Sequence, residues 1–328
     1  MNYKVIVSGH LEFGNSRSYE KMFQSYKQRL ETYYKQDVFF KLDENVVDGQ
    51  TALDIPRFIG QTNEKTWRNT VGMFESIAQF AVAGNIHIWK LQERTLVAQI
   101  LLEPNCDKSA VQSFLRGREL ISEGKEGEAK EVLSQAIEKF ERHALAYERR
   151  GHVNFVLNNL GDAHYDFSKS IGINPHNPEA YVGRALVLMT QNRFQPALED
   201  LELAIKSSIP HQPVYWKARR LKGEAHLERE EYQMAEAELR FFLNRSFQPG
   251  DPNYGWRRKA FFNYGRALLQ TGKCNEALDA FDQAILIETA KDTISSSERL
   301  FYRSQAQQAL DTHQAAPKKD ARAVKQSA

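Results

Sequence analysis

Cysteine is nearly missing from this chain: 328 residues contain only Cys106 and Cys274, far apart and without a CxxC or histidine-rich neighbourhood. That excludes a disulfide framework and gives no sign of a zinc site, so both read as reduced thiols. Long hydrophobic runs are also lacking. No stretch approaches the ~18 apolar residues of a membrane span, and the opening Tyr3-Lys4-Val5-Ile6-Val7 turns polar at Ser8-Gly9-His10, too short for a secretory h-region. A cytoplasmic protein that meets no membrane is the expectation.

Charge of one sign is equally scarce. Net charge is +2, and residues 1–104 balance 12 Lys+Arg against 12 Asp+Glu, so no broad field draws the chain onto nucleic acid. Phosphate-binding signatures are absent as well. Gly9 and Gly14 stand between a strand and a helix, but there is no GxxxxGK[ST] and no GxGxxG. Ser8, His10, Asp54, His87 and Cys106 are the residues with chemical potential, and they form no recognisable constellation. No catalytic residue, metal or cofactor is assigned.

What is present is a period. Gly117, Gly151 and Ala185 follow one another at 34-residue intervals, each trailed twelve residues later by an alanine, Ala129, Ala163 and Ala197. Small residues at two fixed slots mark a pair of helices that approach closely in every unit. Two further copies follow with longer links, at Gly223 with Ala235 and at Gly265 with Ala277 and Phe281. Insertions of this kind fall in the loops of a solenoid, here 209–214 and 247–253, both containing proline.

Before the repeats the texture differs. Tyr3–Val7, Val38–Leu42, Ala52–Ile59 with Pro56 at an edge or bulge, Ile86–Leu91 and Thr95–Leu102 read as strands. Two helical stripes lie between them: Tyr19, Met22, Phe23, Tyr26, Leu30 and Tyr33 after Asn15-Ser16, then Trp67, Val71, Phe74, Ala78 and Ala81 up to Gly84-Asn85. The order β-α-β-β-α-β-β suits a mixed sheet with two helices on one face.

The expected fold class is therefore an α+β N-terminal domain followed by an all-α superhelical solenoid. Its parts are an α+β domain at 1–104, a solenoid at 105–312 and a disordered basic tail at 313–328. Within the solenoid the repeats fall near 110–143, 144–177, 178–211, 216–249 and 258–291. A helix at 293–312, carrying Leu300, Phe301, Ala306 and Leu310, is expected to cover the last apolar face.

The repeat pattern resembles the tetratricopeptide repeat, over roughly residues 110–290. The resemblance departs from the family pattern at Ser113 and Arg219 in the aromatic slot, and in the closing proline missing from the first and last copies. It implies a non-enzymatic scaffold whose first helices line a groove for a peptide or protein segment. In that family, Lys, Arg and Asn on those helices grip extended peptides and some C-terminal carboxylates. The matching positions are Arg149 and His152, Lys217 and Arg220, and Lys259, Asn263 and Arg266. An acidic partner would find charge-assisted donors there. Phe114 and Val182 leave a strict carboxylate clamp incomplete, and Glu148, Glu224 and Glu228 are available to pair the cations internally. Trp256-Arg257-Arg258-Lys259 reads as a helix start with its tryptophan in the core and its charges in water, rather than as a base-stacking platform. Two other readings stand beside the scaffold: a ligand-sensing or enzymatic N-terminal domain recruited by the repeats, and a solenoid that stacks on itself.

Overall fold

The computed structural model describes residues 2–42, 51–93, 95–289, 291–292 and 294–315. Its contacts divide the chain into two compact units, Met1–Gln191 and Asn192–Ala328. The expected tail falls outside the described residues from 316 onward.

The first unit opens with β1 (Tyr3–Glu12), α1 (Ser16–Thr32), β2 (Ala52–Thr62), α2 (Glu64–Ala78), β3 (Ala83–Gln92) and β4 (Thr95–Leu102). Asn15 and Asn63 start the two helices by accepting backbone N–H bonds with their side chains, from Ser18 and from Lys65 and Thr66. The strands pair in the order β2-β1-β3-β4, antiparallel throughout, so the expected mixed sheet is corrected to an antiparallel one. Alternate residues Val5, Val7, Leu11, Leu53, Ile55, Ile86 and Ile88 face α1 and α2 and form the core with Tyr26, Trp67 and Phe74.

Val38–Leu42 is not a strand. Val38, Phe40 and Leu42 are buried in alternation, but the segment packs its rings on Phe58 of β2 and Phe74 of α2 instead of joining the ladder. Its amides are satisfied by side chains: Phe39 N–H donates to Thr70 Oγ1 (3.1 Å) and Leu42 N–H to Tyr26 Oη (3.0 Å). The stop assigned to Gly84-Asn85 is also corrected, since α2 ends at Ala78 and Gly84 lies inside β3. Glycine is needed there for strand packing: φ is +99°, and a Cβ would sit 1.9 Å from the His10 carbonyl oxygen. Gly9 likewise lies within β1 rather than in a loop. Pro56 falls where the β1–β2 register shifts, between Val7↔Phe58 and Gly9↔Ile55, on an edge strand as expected.

Helices α3 (Ser109–Ser122), α4 (Glu126–Lys139), α5 (Ala144–Val156), α6 (Leu160–Ile173) and α7 (Pro178–Thr190) complete the unit, with α3/α4 and α5/α6 packed as pairs and α7 against α6. The 34-residue period has a steric cause. A Cβ on Gly117 would meet Leu133 Cγ at 2.7 Å and one on Gly151 the ring of Phe167 at 3.1 Å, while the third slot holds the fully buried Ala185; outside the period, a Cβ on Gly183 would meet the Phe167 ring at 2.3 Å. Ala129 and Ala163 are fully buried on the partner helices.

The second unit contains α8 (Phe194–Ser207), α9 (Pro213–Glu228), α10 (Tyr232–Leu243), a 3-10 turn at Tyr254–Trp256, α11 (Arg257–Gln270), α12 (Cys274–Leu286) and α13 (Ser296–Ala315). The same crossing recurs. Gly223 faces Leu239 and Gly265 faces Phe281, each with room for a hydrogen only. The last helix packs on α12 and α11 through Arg299, Tyr302 and Ala306, the Tyr302 ring lying edge-on to Phe262 at 5.3 Å. Leu300 and Phe301, expected on that face, are instead 56% and 57% exposed, because a helix presents i, i+3 and i+7 together and the face runs through 299, 302 and 306.

Candidate interaction surfaces of the repeats

In the first unit, α5 carries Arg149 and His152. Arg149 Nε lies 3.2 Å from the buried carboxylate of Glu148, with Glu179 and Glu103 adding to the negative field around it. His152 is exposed. The same helix packs against β3, so the sheet and the first repeats share one interface.

That interface is polar at its centre. Glu12, 1% exposed at the end of β1, accepts from Arg142 Nε (3.0 Å) and Nη2 (2.8 Å) in the α4–α5 turn and lies 3.1 Å from His10 Nε2. The other ring nitrogen of His10 faces Asp54 Oδ1 on β2 at 3.5 Å, and Asp54 Oδ2 is 3.7 Å from His176 Nε2 in the α6–α7 turn. Burial pushes the His10 imidazole down, but Asp54 and Glu12 outweigh it and hold its pKa above 6.5. Burial likewise lifts the Glu12 carboxyl, and His10 and Arg142 bring it below the usual range. Of the residues with chemical potential, the fold thus gathers His10 and Asp54 and uses both to join strands to helix turns. His87 stacks on Trp89 (5.4 Å), with Ser8 as its register partner across β1 and β3. Arg142 and His176 carried no sequence signal beyond their place in inter-helix turns.

Nearby, His143 caps α5, its Nδ1 accepting the Ala146 N–H at 3.2 Å. The ring is buried, 4.7 Å from that of Phe114, beside a cavity of about 10 Å³ lined also by Gly84, Glu103 and Val111. Desolvation pushes its pKa down to about 4.

In the second unit, the cations of α9 and α11 converge on the chain's own carboxylates. Arg220, 3% exposed, pairs with Glu224, and Lys259 Nζ reaches the other oxygen of the same carboxylate at 2.8 Å. Burial alone would raise the Glu224 carboxyl; the charges of Arg220 and Lys259 outweigh it and hold it low. The Arg220 guanidinium also lies 4.3 Å from the Trp256 ring centroid. Trp256 is half-buried, and its neighbours are paired rather than simply solvated: Arg257 lies over Tyr254 and Arg258 binds Asp292 at 2.8 Å.

Arg266 keeps looser company. Its Nη1 is 3.5 Å from both Glu228 Oε1 and the buried Asn263 Oδ1, and its guanidinium lies 5.7 Å from the Tyr302 ring. It lines a polar cleft of about 170 Å³ with Glu228, Glu230, Tyr232, Gln270 and Tyr302. Lys217 is half-buried on α9 and makes no ion pair among the described residues. Tyr232, Gln270 and Tyr302 escaped sequence reasoning because they come from a second helix, a helix end and the terminal helix. Among the described residues no group of three or more metal-ligating side chains occurs, and no helix is long and apolar enough to cross a membrane.

A family model described as tetratricopeptide repeat matches residues 182–242. Among solved structures, pilF of Pseudomonas aeruginosa is similar at TM-score 0.51 and 15% identity, covering 63% of this chain and 87% of its own. PilW, described as a type IV pilus biogenesis factor, gives 0.49 at 18% identity over 64% and 94% of the two chains. YrrB, described as a tetratricopeptide-repeat protein with an unusual peptide-binding site, gives 0.46 at 19% identity over 62% and 93%. Such identities speak to fold alone. No curated protein matches this sequence. Residues 182–242 thus match the tetratricopeptide repeat, in a chain with an antiparallel four-stranded sheet at its N-terminus.

Proposed function

We propose that this protein is a non-enzymatic interaction scaffold that binds a peptide or protein segment along the first helices of its repeats. The α+β head at 1–104 and the repeats at 105–312 are its working parts in this reading, and the cytoplasm, where unpaired thiols persist, is its setting. The observation that carries the reading is the cleft at Arg266, where a cation, an amide and two tyrosines meet on partly exposed surface. Lys259 and Lys217 extend the line of donors along α11 and α9. Arg149 and His152 are the corresponding first-helix donors of the other unit.

Acidic and C-terminal carboxylate groups are the ligand chemistry that suits these donors. Glu224 and Glu228 already hold Arg220, Lys259 and Arg266, so an incoming carboxylate exchanges with them and gains most at Arg266, whose contacts are longest. The test titrates the full chain with peptides of matched sequence, acidic or neutral, ending in a free or an amidated C-terminus. Binding should favour the acidic, free-carboxylate peptide and weaken when Lys217, Lys259 and Arg266 are changed to Glu. Arg220 is spared because it is buried against Glu224 and the Trp256 ring, out of a peptide's reach. Equal affinity across the peptides, or binding indifferent to the three changes, sinks the assignment.

A further inference from the structure

The strand order leaves two edges, β2 and β4, and they are built differently. On β2, Pro56 lacks the N–H that a further strand would need, Asp54 and Arg57 place charges along the edge, and the register shift opposite them bends the strand. These devices keep a sheet edge from pairing with another chain. On β4 there are none. Thr95–Leu102 contains no charged residue, proline or glycine. Residues Thr95, Val97, Gln99 and Leu101 alternate as exposed positions, with Val97 at 49% and Leu101 at 46%. Among the described residues, the backbone of β4 hydrogen-bonds only to β3.

We propose that β4 is an association edge whose occupant is β4 of a second copy, paired antiparallel about a two-fold axis through Gln99. A two-fold normal to the sheet returns each side chain to the face it left, so residues of equal parity lie opposite one another. With Gln99 on the axis, Val97 of one copy meets Leu101 of the other, twice, covering the two exposed apolar side chains. Ala98 meets Ile100 on the core face, and the two Gln99 amides can bond across the axis. Neither strand carries a charge to repel its copy. The self-complementarity is what selects a second copy over a foreign strand, which would need pockets for its alternate side chains. The inference does not depend on the groove reading, since β4 contributes nothing to α9 or α11.

Sedimentation equilibrium of the full chain over a wide concentration range tests it, with Gln99→Lys and Gln99→Glu run separately and as an equimolar mixture. Gln99 is exposed, so neither change disturbs the monomer core, and circular dichroism confirms that each variant folds. The wild type should form a dimer; each variant should raise the dissociation constant about ten-fold or more by setting like charges on the axis, and the mixture should restore association. A wild type that stays monomeric, a dimer that survives both single variants, or a mixture no tighter than its parts overturns the proposal. So does a monomeric wild type that instead takes up an extended peptide along this edge.

Discussion

Replacing His143 with Asn isolates a proton-linked contribution that the fold makes inevitable. The imidazole is 1% exposed and must be neutral to work, because Nδ1 uses its lone pair to accept the Ala146 N–H at the start of α5. Protonation would put a hydrogen where the cap needs an acceptor and a charge beside the Phe114 ring. Its folded pKa of about 4 against an ordinary 6.5 means that the unfolded chain binds the proton first. Stability therefore rises with pH through this window and is lost as pH falls from 6.5 towards 4. At 1.36 kcal/mol per pH unit the gap corresponds to about 3 kcal/mol. Asn keeps a side-chain oxygen for the cap but does not titrate. Urea unfolding of both proteins between pH 7 and pH 4.5, at the ionic strength of a single buffer series, gives the comparison. The wild type should lose stability faster on acidification, by most of that amount, while His143→Asn is somewhat less stable at pH 7. Parallel curves for the two proteins would refute the reasoning.

Other outcomes follow from the same structure. His10→Gln should cost stability that is present in full below pH 6.5 and fades as pH rises through the raised folded pKa, so unfolding curves of wild type and variant should converge on the alkaline side. Gly183→Ala should destabilise by roughly 1–2 kcal/mol, since crowding against the Phe167 ring outweighs the gain in helix propensity, and Phe167→Leu in the same chain should recover much of it; denaturant midpoints decide this. If carboxylate peptides bind as proposed, Glu224→Gln should tighten them several-fold by releasing Lys259, measured by calorimetry with the same peptide pair.

The repeats were legible because their signal is local and steric. A small residue at the helix crossing, glycine at Gly117, Gly151, Gly223 and Gly265 and alanine at Ala185, is written into each repeat, and no distant part of the chain needs to be known to read it. The sheet was only partly legible. Val38, Phe40 and Leu42 are buried, but burial does not say whether a segment joins the ladder: here Phe39 and Phe40 pack on Phe58 of β2 and Phe40 on Phe74 of α2, while the amides bond to helix side chains. Strand direction was misread for a similar reason, since pairing is chosen between segments far apart in sequence. Gly84 misled because a tight strand–strand approach and a helix stop call for the same residue.

The interaction residues show the limit most clearly. That Arg220, Lys259 and Arg266 lie on first helices was readable from register, as was the supply of glutamates able to pair them. How deeply Glu224 sinks between Arg220 and Lys259, and how loosely Arg266 is held at Glu228, depends on where Trp256 and Tyr302 come to rest. By itself, then, the sequence determined the repeat and the small residues at each crossing, because these obey spacing rules acting over a few turns. Which charges are spent inside the protein, how the head is bolted to the first repeats through Glu12 and Arg142, and which sheet edge stays open were decided only in three dimensions. Ion pairing and strand pairing both depend on distance through space, and chain order does not fix that distance.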